Sequence, residues 1–391
     1  MAKSQPTSKG KTPFASETTA WSLLHWLVRY KADTWSTGKA VRAYFVSIAI
    51  TYIPLLLAAY QSGNPLWKVD PEFPHRLLFL HDWGIAFAFL VSFPTLVVLM
   101  ASDEPLLTSS LMRVQDDGVL RIKKEVNSAA PFKSWNAIFR RCNIGALLLG
   151  TGLGLVLGKF TFDSMKNPER HFWIIKGTEL LPVAGYAYFY CIVLLYTLVF
   201  IYVARCVVIS VFLNHVVNSS QISLLPFHPD KCGGLRPVGR LGLRNQYTLT
   251  VLGLNIVLLI VGSPGLPDRL LVEAAVAYLI LGPIIFMGPL LPFRRGMMET
   301  KEGWMKEAGD RLHIEFEHLR VKMRTSEISK EDEAMIDRLR KVGSFIQELP
   351  VWPFDAQTLR TFATAYIVPL GFPLLVHAVT LLINVLKTTG K

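Results

Sequence analysis

One loop of this 391-residue chain gathers residue types able to do chemistry: Phe227, His228, Pro229, Asp230, Lys231, Cys232, Gly233, Gly234, Leu235 and Arg236. Three readings compete for it. As a metal site it offers His228, Asp230 and Cys232, with His215 upstream. That spacing matches no established zinc pattern, so no metal is assigned. As an anion site it offers Lys231, paired glycines that free their amides, and Arg236, without the pattern of a true phosphate loop. As structure, His228 to Asp230 forms a turn and Gly233–Gly234 a close approach between helix ends. The structural reading is preferred. His228 and Asp230 could also act as an acid–base pair on lipid headgroups. Two residues in one turn do not make a catalytic set, and no catalytic residue or cofactor is assigned.

The elements that must carry this loop are long and apolar. A bilayer core of ~30 Å requires about 20 apolar residues in a helix. Seven stretches are read as spans, the fifth of only 16 residues: Val41 to Tyr60, Trp83 to Ala101, Cys142 to Phe160, Pro182 to Leu213, Thr248 to Ser263, Leu270 to Phe293 and Ala365 to Leu386. With 51% apolar residues, a soluble globular domain is a poor alternative. The expected fold is all-α, a polytopic transmembrane helical bundle of about seven spans. The pair from Thr248 to Phe293 has a short Pro-rich connection and could instead be a re-entrant hairpin, which lowers the span count and leaves both chain ends on their sides.

Basic residues orient the bundle. With the amino terminus inside, segments 1–42, 102–141, 214–247 and 294–364 hold 31 of the 41 Lys and Arg, and the outer segments hold 8. Lys and Arg resist translocation, so a cytoplasmic amino terminus and a carboxyl terminus on the outer side are expected. The net charge of +12 would suggest nucleic acid in a soluble protein. Here it is read as attraction to anionic lipids on the cytoplasmic face, and nucleic acid is not expected as a partner. Arg236, Arg240 and Arg244 recur every four residues, a basic stripe suited to such lipids if helical. Arg205, near the end of a stretch about 48 Å long at ~1.5 Å per residue, is expected to snorkel to the inner headgroups as an anchor.

Inside the membrane, Ala146, Gly150, Gly154 and Gly158 place small residues along one helical face, a signal for close helix packing. Pro283, Pro289, Pro369 and Pro373 interrupt the last two stretches. Such kinks can expose ion-binding carbonyls, but adjusting packing is the preferred reading. His377 is the one deep titratable group.

Outside it, residues 1–18 form a polar tail expected to be disordered, and 19–40 an interfacial amphipathic helix. The bundle comprises 41–293, with cytoplasmic loops 102–141 and 214–247. Residues 294–364 form a cytoplasmic helical subdomain, and 365–391 the last span and tail. Within 294–364, apolar residues from Met305 to Met323 and from Met335 to Ile346 recur at helical spacing. They predict two antiparallel amphipathic helices joined near Thr325 and Ser326, with Ser329 as a cap. Their apolar stripes must bury on each other or on a neighbouring subunit. A homo-oligomer is therefore expected, with 294–364 offered to a cytoplasmic protein partner.

His228, Pro229, Asp230, Lys231, Gly233, Gly234 and Leu235 match a motif by which the chain resembles a group of uncharacterised bacterial polytopic inner-membrane proteins. Gly288 to Leu291 followed by basic residues, and Trp352, Pro353 and Phe354, are similar too. The chain departs from the pattern at Arg236 and Pro237. The resemblance implies a bacterial inner membrane and carries no activity. The expected function is a non-enzymatic oligomeric channel or membrane effector regulated through its cytoplasmic helices. A secondary transporter of a small solute is the alternative, and a membrane enzyme using His228 and Asp230 comes last.

Overall fold

An apolar run out of water can satisfy its backbone only by internal hydrogen bonds, and a helix does this within one segment. The computed structural model, which describes residues 36–63, 66, 78–122, 130–165, 173–176, 179–226, 228–230, 232–262, 268–325, 330–354, 357–364 and 366–367, is accordingly mostly helical. Helices α1 (Thr37–Gln61), α2 (Trp83–Phe87), α3 (Phe93–Asp116), α4 (Ala130–Met165) and α5 (Pro182–Asn218) are followed by α6 (Arg236–Gly262), α7 (Asp268–Met287), α8 (Leu291–Thr325) and α9 (Lys330–Glu348). A π-helical turn, Ala88–Ser92, joins α2 to α3 without a break.

Four helical runs are long and apolar enough to cross a membrane: Thr37–Gln61, Trp83–Asp116, Arg141–Met165 and Pro182–Asn218. A fifth arises if Ala275–Met287 and Leu291–Lys322, bent by 48° at their junction, count as one. Seven is thus not reached among the described residues. The stretch from Thr248 lies in α6, whose first turns carry Arg236, Arg240 and Arg244, so its apolar part is short. Of the stretch beginning at Ala365, the description covers Tyr366 and Ile367 alone. Lys231, Pro369, Pro373, His377, Ser329, the tail 1–18 and most of 19–40 lie outside the described residues.

The glycine stripe of α4 packs against α5. A Cβ on Gly154 would stand 2.7 Å from Thr197 Oγ1 and 3.0 Å from the Val193 carbonyl, and one on Gly158 2.7 Å from Val193 Cγ2. Gly150 meets the Thr197 carbonyl, and Ala146 is half-buried one turn earlier. Small residues let the two backbones approach, and Thr197 Oγ1 donates to the Gly150 carbonyl at 3.4 Å. The other face of α4 exposes Leu148, Leu149, Leu153, Leu155, Val156 and Phe160. So broad an apolar surface suits lipid contact, and the chain is a membrane protein.

Three prolines within or beside these helices leave a carbonyl four residues back without its amide donor. Each orphan is claimed by a side chain from another segment. Tyr44 of α1 donates to the Leu90 carbonyl, freed by Pro94, at 2.6 Å. Tyr366 donates to the Leu279 carbonyl, freed by Pro283, at 2.5 Å, its ring seated where Gly282 has no Cβ. Asn245 of α6 donates through Nδ2 to the Ile285 carbonyl, freed by Pro289, at 3.0 Å. The kinks are therefore bonded inside the molecule, which removes the cost of an unpaired carbonyl in lipid.

The expected loops 102–141 and 214–247 are largely regular structure. Helix α3 runs on to Asp116, and α5 to Asn218. Strand β1 (Leu120–Ile122) then pairs antiparallel with a strand at Ser220–Ile222, Leu120 facing Ile222. At the opposite end, β2 (Ile175–Lys176) and β3 (Glu179–Leu180) form a short ladder, which leaves Ser220–Ile222 as β4. Helices α8 and α9 form an antiparallel hairpin: Lys322 reaches Asp332 at 2.7 Å, and Lys301 donates to the Gln347 and Leu349 carbonyls.

Candidate functional site

The turn after β4 is built around one carboxylate. Asp230 Oδ1 accepts the amides of Cys232 at 2.9 Å and Gly234 at 3.0 Å, and Oδ2 accepts the amide of Arg236 at 3.1 Å. His228 Nδ1 lies 2.8 Å from Oδ1. The Asp230 amide also lies 3.4 Å from that nitrogen; Nδ1 cannot both donate and accept, and the short contact to a carboxylate is the stronger bond. Burial pushes the Asp230 carboxyl up, but the bonds from the three amides and His228 outweigh it and hold the group below its ordinary range. A carboxylate so fully engaged caps the start of α6. Its acceptor sites are spent on its own loop, which is the wrong arrangement for a general base.

The glycines follow from the same turn. Gly233 and Gly234 have φ of 65° and 90°, the left-handed region that L side chains avoid. A Cβ on Gly234 would stand 2.5 Å from Val119 Cγ2, and one on Gly233 2.9 Å from Leu224 Cδ2. The loop therefore presses on the residues flanking one end of the β1–β4 ladder, Val119 before β1 and Leu224 after β4. Cys232 is buried and not in a disulfide.

Distant motifs meet this junction. Gly239 of α6 packs against the Pro353 carbonyl, Gly242 against Leu290, and Gly296 of α8 against Ile222 of β4. Arg294 lies 4.7 Å over the Trp352 ring. Phe354 packs on Phe286 of α7, which stacks on Phe362 at 3.8 Å, and Phe362 stacks in turn on Tyr366. The Trp-Pro-Phe segment is the first part of an aromatic ladder along α7.

Two turns into α6, three consecutive polar residues form a hub. Arg244 Nη2 is 3.0 Å from Asp103 Oδ1 and donates to Ser102 Oγ at 2.7 Å, both on α3. Asn245 binds the Ile285 carbonyl of α7 and accepts from Tyr202 of α5 at 3.3 Å. Gln246 donates to the Thr361 carbonyl at 3.0 Å. Asp103 also faces Arg205 Nε of α5 at 3.8 Å.

This geometry corrects two expectations. Arg205 is not a snorkelling anchor: its side chain is 13% exposed and turned to Asp103. Arg244 leaves the proposed lipid stripe, being 10% exposed and ion-paired, while Arg236 and Arg240 stay exposed. The reason is one of registry. Once α3 continues past Ala101, Asp103 sits inside the bundle, and a buried carboxylate draws in cations. Two cations on one anion leave the cluster with net positive charge beside Cys206, Pro289 and Asn245, which line a narrow cleft.

Arg113, Asp117, His228, Pro229, Asp230, Arg236, Pro237 and Arg240 line an open recess of about 240 Å³ at the junction. Among the described residues, no three His, Cys, Asp or Glu side chains cluster as metal ligands. No known protein family, curated protein or solved structure matches the chain.

Proposed function

We propose that this chain is a non-enzymatic bacterial inner-membrane effector, working as an oligomeric channel component whose state is set by the α8–α9 hairpin. In this reading the bundle completes seven spans, with the basic end, the amino terminus and the hairpin in the cytoplasm and the carboxyl terminus in the periplasm. Membership of the group sharing the His-Pro-Asp turn belongs to the same proposal.

The observation that carries it is the 48° bend between α7 and α8, with Asn245 holding the Ile285 carbonyl beside it. Helix α8 is a 35-residue rod rooted in that bend. A displacement of its far end is a torque on α7, resisted chiefly by the Asn245 bond and the aromatic ladder. Two-state hinges of this kind turn a local contact into a change of bundle packing. The engaged carboxylate of Asp230 argues against the enzyme reading.

Purified protein in planar bilayers provides the test. Wild type is expected to conduct, and Asn245→Leu to change the open fraction by roughly tenfold, the effect of ~1.4 kcal/mol at a hinge. Saturable solute uptake without conductance would turn the reading to a secondary transporter. Neither activity, in protein shown to be folded, would end it.

A further inference from the structure

We propose that the recess between the last turn of α3 and the first turns of α6 binds a phosphate group, with Arg113, Arg236 and Arg240 as its clamp. The three guanidiniums come from two helices and line one open cavity of about 240 Å³. Arg113 stands in the last turn of α3, and Arg236 and Arg240 lie one helical turn apart at the start of α6. All three are exposed, and none has an ion-pair partner among the described residues. This separates them from Arg205 and Arg244, whose charge Asp103 answers inside the bundle.

Two carboxylates share the recess, and they differ. Asp230 is committed to the Cys232, Gly234 and Arg236 amides and to His228. It also occupies the start of α6, so the cations and not the helix end must hold a ligand. Even with both carboxylates ionised, three arginines face two aspartates, so the recess keeps an excess of positive charge. Guanidinium forks match the oxygens of a phosphate two at a time, which is why a recess of arginines selects phosphate over a simple halide.

A phosphate could come from an anionic phospholipid headgroup or from a soluble phosphate compound. The lipid source rests on the membrane placement proposed above, whereas the recess does not depend on conductance. The experiment measures the unfolding midpoint of the full chain in phosphatidylcholine nanodiscs, with phosphatidylglycerol blended in or inorganic phosphate added. A ligand held by the folded state alone raises that midpoint, here by about 3 °C or more at saturation. A rise with phosphatidylglycerol alone supports the clamp with a lipid source. A rise with inorganic phosphate supports it with a soluble source.

The joint variant Arg113→Gln, Arg236→Gln, Arg240→Gln should abolish the rise. Arg113→Gln alone, at an exposed position away from the Asp230 turn, should cut it at least by half if the joint variant fails to fold. Arg338→Gln with Arg340→Gln, on α9, should leave it intact. No rise with either probe, an equal rise in the clamp variants, or an equal loss in the α9 control would overturn the proposal.

Discussion

Replacing Asp103 by Asn tests the buried hub quantitatively. The carboxylate answers Arg244 at 3.0 Å and Arg205 at 3.8 Å, with all three side chains between 10% and 13% exposed. Asn keeps the shape and removes the charge, leaving two arginines buried without a counter-ion. Removing one partner of a buried pair costs about 3–5 kcal/mol, most of it the stranded charge. Partial exposure of these groups argues for the lower end, about 3 kcal/mol. Arg244→Gln should cost less, because Asp103 keeps Arg205 and the cluster becomes neutral. The double variant then carries one buried arginine, and its loss should fall short of the sum by roughly 1–3 kcal/mol. Denaturant titration in mixed micelles, followed by tryptophan fluorescence, measures all three. A loss under ~1 kcal/mol for Asp103→Asn, or an additive double variant, would refute the charge argument.

Other predictions follow from single contacts. Gly154→Leu should lower stability by about 1–3 kcal/mol or more by wedging α4 from α5, while Gly152→Ala, with open space around it, should be neutral or stabilising; thermal unfolding separates them. Tyr366→Phe should cost about 1 kcal/mol by orphaning the Leu279 carbonyl, and much less in a Pro283→Ala background, where the helix regains its own amide donor. The Asp230 carboxyl is held below its unfolded value, so its stabilisation is complete above that value and disappears as pH falls through the folded one. The midpoint of wild type should therefore drop on acidification below about pH 4, and Asp230→Asn should be less stable at neutral pH and drop less across that window.

Local and periodic features were legible in the residues. The repeat Gly150, Gly154, Gly158 reads as close packing because helical spacing alone puts it on one face, and that face meets α5. The Asp230 turn is equally local, its partners lying within six residues. The hub was not legible. Asp103 and Arg244 are 141 positions apart, and each looks like a loop charge until α3 and α6 are known to run past their apolar ends. The proline carbonyls were half legible: Pro283 and Pro289 announce a freed acceptor, but no spacing rule names Tyr366 or Asn245 as the donor. The hairpin stripes showed as periodicity, yet Phe316 and Met335 remain exposed, since one partner helix covers only part of each face.

The measurement nearest the centre of the account is side-specific thiol labelling in intact cells. Cys142, exposed in the wild type, is first replaced by Ala, which leaves buried cysteines, and one exposed cysteine is placed at Gln61 or at Met335. Gln61→Cys should react with an impermeant maleimide from the periplasmic side, and Met335→Cys only after the inner membrane is opened. Labelling of Met335→Cys in intact cells, with Gln61→Cys silent, would contradict the placement of the arginine-rich end in the cytoplasm.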